Sequence, residues 1–324
     1  MTKYIIRRLL WLIPVIIGVL AIVFILSAIT PGDPVDALLS QEATLEERQE
    51  LREKLGLNKP AYIQFFNYVA KVVTKADLGT SYQTKQPVAQ EMLTRIPVTL
   101  KLTFASVIVA LIIAIPLGVI SAVRPYSWID NLSMGVALFG VSIPQFWFAL
   151  MGLLVFAVTL HWLPASGIKT FAGWVLPVAM IGVGNAGNFA RVTRSSMLEV
   201  VKQDYIRTAR AKGQKEYIVV LRHGLRNALI PVAANVGNTI GVSLGGAIIA
   251  ETIFSLPGVG KYMIDAIYNR NWPAIQGGVI MLALAFSIVM LLMDILYMFI
   301  DPRLMSMTRP QARKKKSRIV SGGV

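Results

Sequence analysis

Long apolar runs separated by polar and charged segments are the main pattern along this chain. The runs lie at Leu9–Ile29, Leu102–Val123, Leu132–Leu160, Phe171–Ala190, Val232–Ala250 and Gly277–Ile300. Each is long enough to cross about 30 Å of hydrocarbon as a helix. A helix satisfies its own backbone hydrogen bonds, which lipid cannot do. The pattern therefore predicts an all-α integral membrane protein with six transmembrane helices.

The distribution of Lys and Arg predicts the side on which each connecting segment lies. An even number of spans places both termini on one side of the membrane. The segments on that side are 1–8, 124–131, 191–230 and 301–324, and together they hold twenty basic residues. The short loops on the other side, 161–170 and 251–276, hold three. Because basic loops remain in the cytoplasm, we expect both termini to be cytoplasmic.

The segment between the first two spans is predicted to be an extracytoplasmic, helical region covering residues 30–101. Thr44 with Glu47 three residues later forms a capping box for one helix, and Pro60 can begin a second. This region is interpreted as a lid on the outer ends of the spans or as a docking surface for an external partner. The remainder divides into a cytoplasmic N-terminus (1–8), a retained first span (9–29), a core (102–300) and a basic tail (301–324).

Composition agrees with a bilayer as the solvent. The chain is 55% hydrophobic and 15% charged, and its mean hydropathy is +0.61. A net charge of +15 would by itself suggest nucleic acid, but nearly all of the excess lies in the predicted cytoplasmic segments, so we expect no nucleic-acid partner. There is no cysteine and there are two histidines, which excludes disulfides and thiolate metal sites.

The cytoplasmic segment 191–230 carries the most specific local signals. Asp204 is predicted to cap a short helix, and Gly213 is predicted to end it in the left-handed conformation. A helix this short needs a surface to pack on, and the side chains available for burial are Tyr205, Ile206, Ala209 and Ala211. A second helix, Lys215–Leu229, should return the chain to the membrane at Pro231. The alternative is an amphipathic loop on anionic lipid headgroups.

The order of residues in this segment resembles a known motif. DYIRTARAKG followed by RHGLRNALIP is similar to the cytoplasmic loop of ABC-importer permeases, E-A-A-x3-G-x9-I-x-L-P. Aligned on Gly213, Arg207 replaces the Glu and His223 replaces the Ile. Both departures are typical of the dipeptide/oligopeptide/nickel permease family, and in particular of its B-type subunit. Further similar segments lie at Tyr4–Leu9, Pro31–Pro34, Leu163–Gly167, Phe254–Gly260 and Asp301–Arg303.

The resemblance implies a permease fold and a coupling role for the loop, which docks on an ATPase. The residues that carry this role are Asp204, Tyr205, Ile206, Arg207, Thr208, Ala209, Arg210, Ala211, Lys212 and Gly213. The implied partners are a second homologous permease subunit, two cytoplasmic ATPases that use ATP and Mg²⁺, and an extracytoplasmic solute-binding protein. No cofactor is expected on this chain. The implied cargo, crossing a prokaryotic plasma membrane, is a dipeptide, an oligopeptide, glutathione or a nickel chelate.

The fifth span contains three glycines at four-residue spacing, a ridge that lets another helix approach closely. The candidates for the pathway or for a subunit interface are Asn235, Gly237, Asn238, Gly241, Ser243 and Gly245. Packing within the subunit is an equally good interpretation of the ridge.

Other functions find weaker support in the sequence. Gly182–Gly187 fits G-x-G-x-x-G but lies inside an apolar run, and no phosphate-binding G-x-x-x-x-G-K-[ST] occurs. An ion-coupled secondary transporter is the main alternative, although Asp294 is the one clear acid within the spans. An intramembrane hydrolase using His161 and Ser166 lacks a nearby supporting acid.

Overall fold

The structure, a computed structural model, describes residues 2–29, 35, 38–39 and 43–300, and this part of the chain is helical without a strand. The helices are α1 (Thr2–Ile29), α2 (Leu45–Lys54), α3 (Ala61–Lys75), α4 (Val88–Val123), α5 (Trp128–Ser142), α6 (Gln145–Gly152), α7 (Ala172–Val201), α8 (Asp204–Ala211), α9 (Glu216–Ile218), α10 (Arg226–Ile253), α11 (Val259–Tyr268) and α12 (Trp272–Ile300). Two π-helical segments, Leu153–Thr159 and Val219–Leu225, follow α6 and α9. The predicted segments 31–34 and 301–324 lie outside the described residues.

The all-α membrane fold is confirmed. Among the described residues, four helices are long and apolar enough to cross a membrane, and a bent pair raises the number to five. Helix α7 is a further long helix of 30 residues, or about 45 Å, but Asn185 and Asn188 dilute its apolar character. The number of six spans and the cytoplasmic termini remain predictions.

The third predicted span, Leu132–Leu160, is not one straight helix. Helix α5 and the helix formed by α6 and its π-helical extension meet at an angle of 93°. Pro144 stands at the break, and Ile143 before it is extended, as expected for a residue that precedes proline. Pro116, in contrast, lies inside α4 without ending it. The prediction of a single third span is therefore corrected to a broken one.

Helix α7 lies at the centre of the helices and packs most closely against α4. Small residues bring the two backbones together: a Cβ on Gly182 would lie 3.1 Å from the carbonyl oxygen of Ser106, and one on Gly118 would lie 2.7 Å from that of Ala190. This is the small-residue packing typical of membrane helices. The G-x-G-x-x-G match is thus a helix-packing surface.

The region after the first span contains the predicted helices. The capping box that begins α2 is confirmed, because Glu47 N–H donates to Thr44 Oγ1 and the Glu47 carboxylate accepts from Thr44 N–H. Helix α3 follows Pro60, as predicted. Its side chains Phe65, Tyr68, Val69 and Val72 pack on a core cluster shared with α1 and α12. The two interpretations of this region, a lid and a docking surface, both stay predictions.

A fully buried carboxylate joins three helices near the end of α10. Glu251 accepts hydrogen bonds from Thr99 Oγ1 at 2.6 Å and from Lys261 N–H at 3.0 Å. The Thr99 hydroxyl in turn accepts from Val259 N–H at 3.0 Å. Glu251 therefore caps the N-terminus of α11 and holds it against α4 and α10. The sequence analysis placed Glu251 at a span end without predicting these contacts.

Candidate functional site: the loop between α7 and α10

The short helix expected in the loop is present as α8, but its first residue differs from the prediction. Helix α8 begins at Asp204, and Gln203 is the N-cap, without a side-chain hydrogen bond to the helix. Asp204 lies in the first turn, where its charge favours the positive end of the helix dipole. The predicted capping role of Asp204 is therefore wrong.

Two side chains fix α8 to the rest of the protein. Ile206 is completely buried and Ala209 nearly so, and both pack with Val219 and Val200. Tyr205 and Ala211, the other two side chains available for burial, are exposed. Residues three apart share one side of a helix, and an eight-residue helix docks through one side only. Helix α8 thus packs on the end of α7 and on the π-helical segment Val219–Leu225.

Gly213 ends α8 in the left-handed conformation, as predicted, with φ +72°. Gly213 N–H donates to the carbonyl of Arg210 at 2.9 Å, and Gln214 N–H donates to that of Ala209 at 3.4 Å. These two bonds form a Schellman motif. A Cβ on Gly213 would meet no atom within 4 Å, so the backbone conformation rather than lack of space favours glycine here.

The loop proper is shorter than the predicted segment 191–230. Helix α7 continues to Val201, so the segment between the long helices runs only from 202 to 215. The predicted return helix, Lys215–Leu229, does not end at Pro231. It begins at Glu216, passes through the π-helical segment and continues in α10 to Ile253. Helix α8 therefore lies in the chain between two long helices, with a short connection to each.

Three polar contacts reinforce the position of α8. Arg210 donates two hydrogen bonds to the Glu216 carboxylate, at 2.7 and 3.1 Å, and this interaction raises the pKa of Arg210. His223 and Gln214 are joined through Nε2 and Oε1 at 2.9 Å. The Tyr205 hydroxyl accepts from Asn227 Nδ2 at 3.0 Å. Both ends of the short helix are thereby linked to the return helix.

The opposite side of α8 is free for a partner. The side chains of Asp204 and Arg207 are 98% and 75% exposed, and their charged groups lie 3.9 Å apart. Thr208 and Lys212 are exposed beside them. An ion pair this exposed contributes little to stability. These side chains form a protruding polar surface held on a rigid base.

A partly buried ion pair near the loop was not predicted. The Arg194 guanidinium in α7 donates to both Asp130 carboxylate oxygens, at 2.8 and 2.6 Å, and Arg194 Nε also donates to Ser121 Oγ at 3.0 Å. Ser121 further donates to Asp130. The network ties α4, α5 and α7 together on the same side of the bundle as α8. Arg194 is 64 positions from Asp130 and 73 from Ser121, so no local sequence pattern could predict the network.

The pathway candidates in α10 fall into two groups. Gly237 and Gly241 face α12 of the same chain, where Tyr297 and Phe286 fill the space that side chains would occupy. Ser243 is buried and accepts from Asn185 Nδ2 at 3.0 Å. Asn235 is half-buried and accepts from Thr239.

The other group is exposed. Asn238 and Gly245 lie on an open face of α10 with Val242 and Ile249. These four positions recur at helical spacing, so they form one continuous strip. Packing within the subunit thus accounts for two of the ridge glycines, whereas Asn238 and Gly245 are available to a pathway or a partner.

No part of the described chain suggests a metal centre, because no three His, Asp or Glu side chains cluster within it. His161 is exposed and contacts the carbonyl of Thr159 through Nδ1 at 3.2 Å. Asp294 is half-buried and interacts with Tyr297 one turn later.

The apolar helices, with a short docked helix in one connecting loop, form a membrane protein. Residues 114–306 match the family described as binding-protein-dependent transport system inner membrane component, and residues 1–103 match its N-terminal component. The chain belongs to this family. It is a permease subunit of an ABC importer and a multi-pass protein of the inner membrane.

Curated relatives cover nearly the whole chain. The dipeptide transport system permease protein DppB of Alkalihalophilus pseudofirmus is 42% identical, over 94% of this chain and 99% of that protein. The glutathione transport system permease protein GsiC of Escherichia coli is 40% identical, over 93% and 98%. An inward-facing structure of the MetNI methionine ABC transporter has a TM-score of 0.57, at 18% identity over 65% of this chain and 97% of that one. This structural likeness supports the fold.

Proposed function

We propose that α8 is the element through which two cytoplasmic ATPase subunits drive this permease. The observation that carries the proposal is the division of α8 into two sides. Ile206 and Ala209 anchor it to the protein, while Asp204, Arg207 and Thr208 project outward. An ATPase bound to the exposed side of α8 could transmit force to the permease through the buried side.

Force applied to α8 would reach the membrane by two routes. Ile206 contacts the end of α7, and the polar links from Arg210 and Tyr205 reach the return helix that becomes α10. Helix α7 packs on α4 and is tied by Arg194 to α5. Closure of the ATPases on ATP would therefore move these helices together and alternate the access of the pathway.

The open strip on α10 is proposed to face the pathway, which this chain would complete with a second homologous permease. The strip bears Asn238, Val242, Gly245 and Ile249 and no charge, so it would bind a solute weakly. Selection would then belong to an extracytoplasmic solute-binding protein. The cargo is proposed to be a dipeptide or oligopeptide, by similarity to DppB. The similarity to GsiC makes glutathione the second candidate.

The chain is proposed to have no catalytic role and to bind no nucleotide itself. ATP and Mg²⁺ would be used by the ATPase subunits. This division follows from the absence of a phosphate-binding G-x-x-x-x-G-K-[ST] motif in the full sequence.

Cross-linking tests the docking of α8. Because the chain contains no cysteine, Arg207→Cys introduces a single reactive site. In the assembled complex, a photoreactive benzophenone maleimide coupled to this cysteine should, on illumination, insert into a C–H bond of an adjacent ATPase subunit and join it to the permease. Lys75→Cys, at the exposed end of α3, is the matched control and should not react with the ATPase. A lack of cross-linking at Arg207→Cys in a complex that hydrolyses ATP would contradict the proposal.

Labelling with a membrane-impermeant maleimide tests the orientation with the same variants. Arg207→Cys should react in inside-out vesicles and Lys75→Cys in right-side-out vesicles; the reverse pattern would contradict cytoplasmic termini.

Reconstituted uptake tests the energy source. Uptake should require the ATPases and ATP, and uptake driven by an ion gradient alone would instead establish a secondary transporter.

A further inference from the structure

Helix α3 has an apolar surface wider than the protein covers. At about 100° per residue, its side chains form three sectors around the helix axis. The inner sector packs on α1 and α12 and contains Phe65, Tyr68, Val69 and Val72. A lateral stripe lies about 100° further round and contains Tyr62, Phe66 and Val73. The three stripe side chains are 64%, 66% and 73% exposed, so nothing in the described part of the chain covers them.

The polar residues of α3 occupy the remaining sector. Asn67, Lys71, Thr74 and Lys75 are all exposed there. The helix thus has one side against protein, one apolar side without a protein partner and one polar side. A helix surrounded by water would place polar residues at the stripe as well. The three-sector pattern instead fits a helix at the boundary between water and an apolar phase.

Contacts near both ends of α3 join it to two long apolar helices, α1 and α12. The rings of Phe65 and Phe24 meet edge to face with centroids 5.6 Å apart, and Phe24 belongs to the apolar span Leu10–Ser27. Leu78, just beyond α3, lies 3.2 Å from the position that a Cβ on Gly277 would take.

Both contacts lie near the end of a long apolar helix. Phe24 is five residues before the end of α1 at Ile29, and Gly277 is five residues after the start of α12 at Trp272. Each contact is therefore about 7.5 Å inside a helix end. Since α3 is held to the bundle near both of its ends, it lies against these helices and does not project away from them.

The stripe is continuous with a lipid-facing surface. Only 6% of the apolar window of α1 is buried inside the protein, and Ile22 and Ile25 are each 59% exposed. Phe65 contacts Phe24 on one side and Phe66 on the other, at ring distances of 5.6 and 5.7 Å. A chain of three aromatic rings thereby leads from α1 to the stripe.

We infer that α3 is an interfacial helix whose stripe inserts into the lipid at the boundary between headgroups and acyl chains. Aromatic rings are favoured at this depth, and Tyr62 can keep its hydroxyl among the headgroups. Lys71 and Lys75 would remain in the headgroup layer, where phosphates are their natural partners. The inference concerns the outer region only and does not depend on the coupling proposed for α8.

Spin labelling of the assembled complex in lipid vesicles tests this inference. Phe66→Cys places a nitroxide in the stripe, and Thr74→Cys places one in the polar sector as a matched control. Since the chain has no cysteine, the unmodified chain in the same complex gives the background signal. Collision with oxygen, which concentrates in lipid, is compared with collision with a water-soluble nickel chelate.

The label at Phe66→Cys should collide several-fold less with the nickel chelate and several-fold more with oxygen than the label at Thr74→Cys. Equal access of the chelate to both labels would overturn the inference, because the stripe would then face water. An immobilised label at Phe66→Cys that neither reagent reaches would also overturn it, and would show that a protein covers the stripe.

Discussion

The residue at position 213 should control the coupling helix through backbone conformation alone. We expect the series Gly213→Asn, Gly213→Ala and Gly213→Val to lose coupling progressively. Asn enters the left-handed region readily, Ala less so, and a β-branched residue hardly at all. Because a Cβ at this position would meet no atom within 4 Å, size should contribute nothing in the docked state.

The expected loss of docking free energy follows from the left-handed backbone at position 213. A left-handed conformation costs an ordinary L-residue roughly 1–2 kcal/mol, and Val falls at the upper end of that range. About 2 kcal/mol corresponds to roughly a 30-fold change in an equilibrium. The docked state of α8 depends on burial of Ile206, worth about 1.5–3 kcal/mol, and on a few polar contacts worth about 1 kcal/mol each. Ordering the loop costs conformational entropy, which opposes these favourable contributions. A further loss of about 2 kcal/mol should therefore be enough to shift α8 towards the undocked state.

Two measurements on the reconstituted complex test this expectation. Hydrogen exchange of the α8 amides should accelerate by roughly 30-fold for Gly213→Val and only slightly for Gly213→Asn. The ratio of solute taken up to ATP hydrolysed should fall in the same order. Gly18→Val is the matched control, since Gly18 is equally open but lies in α1 without a left-handed backbone. If Gly213→Val exchanged and transported like the unchanged protein, the left-handed conformation at position 213 would not be needed to hold α8.

Three further changes probe the contacts around the loop and on the opposite side. Ile206→Ala should cost about 2 kcal/mol, expose the loop to protease and lower uptake per ATP, whereas unchanged protection would mean that α8 is held otherwise. Asp130→Ala leaves the Arg194 charge uncompensated and should cost about 3 kcal/mol, seen as a lower Tm in detergent, with partial recovery in the double variant Asp130→Ala/Arg194→Leu. Glu251→Ala removes the acceptor for Thr99 and should speed hydrogen exchange at the start of α11; an unchanged rate would contradict its capping role.

Local signals in the sequence predicted local structure well. The capping box of Thr44 and Glu47 and the left-handed Gly213 both depend on residues a few positions apart, so the sequence contains all the atoms that decide them. The lengths of the apolar runs predicted most of the membrane helices, because such a run is also a property of residues that follow one another in the sequence. The capping role predicted for Asp204 failed by one position, because the helix begins at Asp204 with Gln203 as its N-cap.

Contacts between distant residues could not be predicted in this way. The break at Pro144 lies within an unbroken apolar run, so hydropathy alone gave one span where the structure has two helices at 93°. The pairing of Asp130 with Arg194 depends on how α5 and α7 approach each other. The sequence left the glycine ridge of α10 open between packing and a pathway, and only the structure shows Tyr297 and Phe286 against two of its three glycines.

The contact between Gly237 and Tyr297 constrains how this sequence can change. Gly237 N–H donates to the Tyr297 hydroxyl at 2.7 Å, and that hydroxyl donates to the carbonyl of Ala234 at 3.0 Å. Any side chain at position 237 would displace the ring, and a smaller residue at 297 would leave a void beside a bare backbone. The two positions should therefore vary as a pair among relatives, with glycine retained wherever tyrosine is and exchanged only when the ring is lost. Divergence of this permease is thus restricted at these positions by shape, independently of what it transports.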